Sequence, residues 1–168
     1  ENIDAMDRLI AWLPEHVPAD DETRIVHGDF RLDNVIFHPS KPQIVAVLDW
    51  ELSTLGHPLS DFAYHCMVWR VEPGVFRGLA GHDIAALGIP TEAEHVAAYC
   101  RRTGRSGIAT RDWEYYMAFN MFRLAAIMQG IMARALSGTA ASSEALEMGR
   151  RARPLAELAW RQVERLQS

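Results

Sequence analysis

Apolar and polar positions repeat with two different periods along this chain, and the change of period divides it. In the first stretch Ile3, Met6, Leu9, Ile10 and Leu13 recur at helical spacing, which predicts a helix from Ile3 to about His16, limited by Pro14 and Pro18. A polar approach, Asp20-Asp21-Glu22, leads into three short apolar runs: Ile25-Val26, Val35-Ile36-Phe37 and Ile44 to Leu48. These runs are too short for helices and are bounded by turn residues, so they read as strands. The last two are joined by a Pro-Ser-Lys-Pro hairpin turn. From Pro58 onward the helical period returns. Pro58 suits the first position of a helix, where its missing N–H is harmless, and Asp61 then falls in the first turn, near the positive end of the helix dipole.

Glycines and prolines recur from Glu72 to Pro90, predicting an irregular segment with a short helix near Ile84–Leu87. Thr91 and Glu94 have the spacing of a capping box, which opens a helix running to about Thr103 and stopping at Gly104. Another helix is expected from Thr110 to about Leu136. Trp113, Met117, Asn120, Leu124, Ile127 and Ile131 lie on one of its stripes, and Tyr115, Phe119 and Phe122 on another. Apolar on most sides, it belongs at the centre of a helical layer. Asn120 and Arg123 then need partners, as structural clamps or as pocket residues. Ser142 or Ser143 is expected to cap a last helix that Pro154 kinks or restarts, with Leu155, Leu158, Ala159, Val163 and Leu166 on its buried stripe. The methionines scattered through these helices read as core filler. The fold class is α+β, mostly helical.

Composition narrows the setting. At 168 residues the chain suits one domain, 1–168, with a sizeable core, and 49% hydrophobic with 23% charged residues is ordinary for a soluble globular protein. A net charge of −5 without a Lys/Arg run argues against a nucleic-acid partner. The longest apolar run, Met117 to Leu136, contains Asn120, Arg123, Gln129 and Arg134. An arginine near a bilayer centre costs about 2.5–3.5 kcal/mol, so this is a buried helix and no membrane partner is expected. Cys66 and Cys100 lack metal or redox spacing, and no signal peptide is visible, which together predict free thiols in a reducing, cytoplasmic setting. The chain begins on Glu1 rather than Met, so it is expected to be cut from something longer.

The chemistry concentrates between Ile25 and Asp61. His27-Gly28-Asp29-Phe30-Arg31-Leu32-Asp33-Asn34 follows the first strand, and the third strand ends on Asp49-Trp50-Glu51. The pattern H-x-D-x-x-x-x-N, then a hairpin, then a strand ending in Asp, is that of protein-kinase-like phosphotransferases. Phosphoryl transfer requires positioning and neutralisation of charge more than covalent chemistry. Asp29 has the position of the carboxylate that takes or orients the acceptor hydroxyl proton. Asn34 and Asp49 can offer oxygen ligands to the Mg²⁺ that accompanies ATP, with Glu51 as a further ligand if the strand continues. A lone His-x-Asp is equally a satisfied turn; three such residues in this order are not. A metal-dependent phosphoesterase would use His27, Asp29 and Asp49 as ligands but needs further His and Asp clusters, and the other histidines (16, 38, 57, 65, 82 and 95) form none.

HGDFRLDN followed by AVLDWELSTLGHPLSDFAY resembles the aminoglycoside phosphotransferase and choline kinase family. That family's signature runs HGD-x-x-x-x-N, D-x-E, then G-D-P-x-x-D. The chain departs from it at His57, where the family usually has Asp, and keeps Gly56 and Pro58. YCRRTGR (Tyr99 to Arg105) and FRLAAIMQGIMARA (Phe122 to Ala135) resemble a narrower group, the kinase-like domains related to those fused with acyl-CoA dehydrogenases.

The resemblance implies the C-terminal lobe of a protein-kinase-like fold, with a small β-hairpin carrying the catalytic loop. It implies ATP-dependent phosphorylation of a hydroxyl on a small molecule, and that His27 and Asp61 brace the loop, Asp61 holding its backbone N–H groups. A hydroxyacyl-CoA, an aminoglycoside or an amino-alcohol are the acceptor candidates, and residues 72–90 could supply part of their pocket. A catalytically silent lobe serving as a binding or scaffolding module is the alternative. Kinase-like folds also need a β-rich nucleotide-clamping lobe with a phosphate-covering loop and a strand Lys. The residues before His27 contain neither Gly nor Lys. The face where that lobe belongs is therefore expected to be apolar and covered by the missing lobe or by a second copy.

Overall fold

The computed structural model describes residues 2–140 and 143–167. Helix α1 spans Asp4–Glu15 and buries Ala5, Met6, Leu9, Trp12 and Leu13. Ile10, expected on that stripe, is 56% exposed, because the face that meets the core is centred on Leu9 and includes Trp12 instead. Strand β1 (Arg24–Val26) precedes the polar loop, and strands β2 (Val35–Phe37) and β3 (Ile44–Val47) form the expected hairpin. Their register pairs Val35 with Val47 and Ile36 with Ala46, with an irregularity before Phe37 meets Ile44.

Strand β4 (Thr54–Gly56) lies antiparallel to β1, pairing Ile25 with Leu55, so the described residues hold two separate two-stranded sheets. A Thr-Leu-Gly segment is too short to show any period, which is why the sequence concealed it.

Helix α2 (Pro58–Cys66) begins on Pro58, and a single 3₁₀ turn, Met67–Trp69, follows it. Between them and the next long helix, the segment expected to be irregular contains a one-turn helix α3 (Pro73–Phe76), which starts on Pro73. The short helix expected near Ile84–Leu87 is absent: those residues form turns, with Asp83 Oδ1 accepting from the Ala86 N–H at 3.1 Å. Gly88, at φ +68°, and Pro90 follow too closely for a helix to propagate there. Helix α4 (Glu92–Thr103) carries both halves of the Thr91/Glu94 capping box and ends on left-handed Gly104.

Helix α5 (Thr110–Leu136) is the axis of the molecule. It buries residues on most of its circumference, from Trp113 and Tyr116 through Met121 to Met128, against α1, α2 and α7. Ile127, expected inside, is 51% exposed because it has reached the rim of a cavity. Helices α6 (Ala145–Arg150) and α7 (Ala152–Gln167) close the layer. The cap of α6 is Glu144, without a side-chain bond, rather than Ser143; Ser142 lies outside the described residues. Pro154 stands in the first turn of α7 and so restarts the helix. Leu155, Ala159 and Val163 are buried, and Leu158 and Leu166 pack against the same core.

Candidate active site

The polar loop is held at the successive peptide units around Gly28. The Asp61 carboxylate, in the first turn of α2, accepts from the His27 N–H through Oδ2 and from the Gly28 N–H through Oδ1 at 2.8 Å. On the other side of the same residue, Arg123 of α5 donates to the Gly28 carbonyl at 2.6 Å. Gly28 has φ +84°, and a Cβ there would lie 2.6 Å from the Leu52 carbonyl oxygen, so both conformation and space demand glycine.

His27 is buried and ties the loop to the third strand. Its Nε2 donates to the Leu48 carbonyl at 2.7 Å, and its Nδ1 accepts from the Asp29 N–H at 3.2 Å, an arrangement that selects the Nε2–H tautomer. The Leu48 N–H in turn reaches the Asn34 carbonyl at 2.8 Å. These bonds bring Asp29, Asn34 and Asp49 onto one edge of the hairpin.

Within the loop, the Asn34 amide donates to the Asp29 carbonyl and to Asp29 Oδ2, both at 2.9 Å. With both amide hydrogens committed, Asn34 Oδ1 is the atom left to face a cation. Asp29 also accepts from Arg31 Nε at 3.2 Å, and Arg31 pairs with Asp33, which Arg77 also engages. This ladder of charges was invisible in the sequence: Arg77 lies in the irregular segment, 44 positions from Asp33. It was also missed that Tyr64, on α2, turns its phenol towards Asp29. Burial, then hydrogen bonding to the Asp29 carboxylate, push that phenol up to about 12.

The third strand does not continue past Val47. Asp49 adopts a left-handed conformation (φ 67°, ψ 50°) and caps a 3₁₀ turn, Trp50–Leu52. The alternation expected to align Glu51 with Asp49 therefore fails. The turn nevertheless brings the two carboxyl groups together, and the Glu51 carboxyl is raised above the usual 4.5, first by its hydrogen bond to Asp49 and then by that residue's charge. Asp49 and Glu51 bring two carboxyl groups to the strand end, and Asn34 on the adjoining loop offers an amide oxygen; donors of this all-oxygen kind suit Mg²⁺.

His57 is the N-cap of α2. Its Nδ1 accepts from the Leu59 N–H at 3.2 Å, as a capping carboxylate would, while Nε2 lies 3.3 Å from Asp20 and the ring stacks on Tyr116. Asn120 is wholly buried and clamps α5 to α2, donating to the Ser60 and Tyr116 carbonyls at 2.9 Å each. Arg123 is both clamp and pocket residue. It lines a cavity of ≈ 560 Å³ beside Asp29, together with Tyr64, Tyr115, Tyr116 and Phe119. Apart from Asp29 that lining contains no carboxylate.

Comparison with known proteins shows what the chain is similar to. The profile of the phosphotransferase enzyme family matches residues 1–119. A mouse protein named acyl-CoA dehydrogenase family member 10 is 49% identical over 161 residues, which cover 95% of this chain and 15% of that protein. The rat acyl-CoA dehydrogenase family member 11 is 42% identical, covering 94% of the chain and 20% of the relative. The crystal structure of a candidate aminoglycoside phosphotransferase from Ralstonia eutropha superposes with a TM-score of 0.92 at 58% identity, over 98% of this chain and 50% of its own. The chain thus spans half or less of the proteins it matches.

Proposed function

The chain belongs to the phosphotransferase enzyme family, and from that premise we propose that it carries the catalytic half of an ATP-dependent enzyme that phosphorylates a hydroxyl group of a small molecule. The supporting observation is the convergence of Asp29, Asn34 and Asp49 through the His27–Leu48 and Asn34–Leu48 bonds. In this reading Asp29 lies beside the acceptor hydroxyl and takes or orients its proton, held by Asn34 and Arg31. Asn34 and Asp49, with Glu51, would hold Mg²⁺, which when bound supplies neutralisation of the nucleotide phosphates. His27 and Asp61 keep the loop in register with the strand end.

The cavity beside Asp29 favours an uncharged or anionic acceptor over a polycation. Its walls are aromatic, Arg123 brings positive charge, and no acidic side chain other than Asp29 lines it. Of the acceptor classes that the sequence resemblance implies, a hydroxyacyl-CoA suits these walls better than an aminoglycoside or an amino-alcohol. Both cysteines are buried and unpaired, which suits a reducing, cytoplasmic setting, and among the described residues no helix is long and apolar enough to cross a membrane.

The deciding assay follows ADP release by the full-length protein from Mg-ATP against a panel of hydroxylated metabolites. Acceptor-dependent release that disappears in Asp29→Asn is the expected result. No release with any acceptor would favour a silent binding lobe.

A further inference from the structure

Two residues outside the loop and strand motifs reach the loop from the helical layer. Arg123 donates to the Gly28 carbonyl at 2.6 Å, and its guanidinium carbon lies 4.7 Å from the centroid of the Tyr64 ring, over its face. Tyr64 is 7% exposed and stands with Asp29 in the wall of the cavity, near enough for the carboxylate to help raise its phenol. Tyr64, Arg123, Gly28 and Asp29 line the same cavity.

One Arg123 nitrogen, Nη2, is committed to the loop. Arg123 Nε is buried without a hydrogen-bond partner among the described residues, an arrangement that is unfavourable unless the guanidinium is held for another purpose. Its position is over-determined: an aromatic face on one side and the carbonyl of the residue preceding Asp29 on the other. Since Asp61 grips the Gly28 N–H, the residue before Asp29 is fixed at both of its polar groups.

We propose that Tyr64 and Arg123 are a positioning pair for Asp29. Tyr64 sets the direction of the carboxylate, and Arg123 immobilises Tyr64 and the Gly28 carbonyl behind it. The inference rests on the reading of Asp29 as the group that orients the acceptor. Asn34 and Arg31 hold the carboxylate from within the loop and Asp61 holds the backbone before it, so the pair adds a further constraint from the helical layer. A guanidinium that both stacks and donates is poorly replaced by an ammonium.

The test is a double-mutant cycle on the full-length protein, measuring phosphate release from Mg-ATP with water as acceptor. Tyr64→Phe is expected to lower kcat about tenfold, with KM for ATP and melting temperature essentially unchanged. In an Asp29→Asn background the same change is expected to have no further effect, because the group it positions is gone. Arg123→Lys should also lower kcat at constant KM for ATP, and should be non-additive with Tyr64→Phe. Wild-type kcat in Tyr64→Phe, or an equal fall in both backgrounds, overturns the proposal. If Asp29→Asn lowers kcat and Tyr64→Phe does not, this inference alone fails. If Asp29→Asn keeps wild-type kcat, the role of Asp29 itself is wrong and the pair has nothing to position.

Discussion

At the scale of single residues, three substitutions separate chemistry from support. Asp29→Asn is nearly isosteric and keeps most of its hydrogen bonds, so the melting temperature should hold while kcat of the full-length protein falls by about 10²–10⁴. Retention of wild-type kcat would remove Asp29 from its assigned role. Asp61→Ala should lower stability as well, by about 1–3 kcal/mol, because the His27 and Gly28 N–H groups lose their shared acceptor. Equal thermal melts of wild type and variant would show that this carboxylate is dispensable. Gly28→Ala should be at least as harmful, through its positive φ and the Leu52 carbonyl that a methyl would strike. Much at this scale was legible in the sequence. His27, Asp29, Asn34 and Asp49 announced themselves by spacing, which reports a local loop. Arg123 showed only as a polar group needing a partner, and Tyr64 not at all, because their relation to Asp29 runs through α2 and α5, and a side chain's bearing across a packed interface leaves no trace in periodicity. The alternation that pointed to Glu51 fails, and a 3₁₀ turn sets it near Asp49 instead.

At the scale of elements, the helices were legible wherever their stripes were long, as in α1, α5 and α7, and where a cap was explicit, as at Thr91. What escaped was short or non-local: β4, the turns at 84–87, and the tie that joins α4, α5 and α7. That tie is Arg70, just after the 3₁₀ turn Met67–Trp69. Its guanidinium donates to Glu92 and Glu114, and to Gln162 at 2.9 Å, while Trp113 Nε1 donates to Glu92 at 2.8 Å. Removing the cation strands two carboxylates that are only about one-fifth exposed or less, so Arg70→Ala should destabilise by about 3 kcal/mol. Denaturant melts at neutral pH would measure it. The acid side carries a sign that can be checked. Burial raises the Glu92 carboxyl, but the bonds from Arg70 and Trp113 outweigh it and the net displacement is downward from 4.5. A carboxyl lowered by folding stabilises above its unfolded value and loses that contribution as pH falls through its folded value. The stability difference between wild type and Glu92→Gln should therefore be full near pH 6 and shrink below about pH 4.5. A difference that stayed constant down to pH 3 would mean that the pair contributes nothing through charge.

At the scale of the whole molecule, an apolar face lies open beside the site. Ile25 and Leu55, cross-strand neighbours on β1 and β4, are 72% and 71% exposed, and Leu48, Trp50 and Leu52 on the segment leading into β4 are exposed too. Apolar groups gathered beside the loop and the strand end, rather than scattered, suit a surface that something covers. We propose that the cover is a nucleotide-clamping lobe, with a second copy of the chain as the alternative occupant. The chain's single lysine, Lys41, lies in the turn of the hairpin, and no glycine precedes Gly28. A strand lysine and a phosphate-covering loop ahead of the catalytic residues are therefore absent from these 168 residues. Without them a nucleotide would keep its metal ligands but lose one wall of its site and most of its buried surface. The 168-residue chain should accordingly fold, yet bind Mg-ATP with a Kd above about 1 mM, weaker than about −4 kcal/mol. Titration calorimetry on the chain alone, followed by the same titration on the full-length protein, would check both halves of the claim. The full-length protein should bind at least about tenfold more tightly, a gain of about 1.4 kcal/mol or more. Micromolar, Mg²⁺-dependent binding by the 168 residues alone would mean that they already enclose the nucleotide, and that the exposed face around Ile25 and Leu55 serves some other contact.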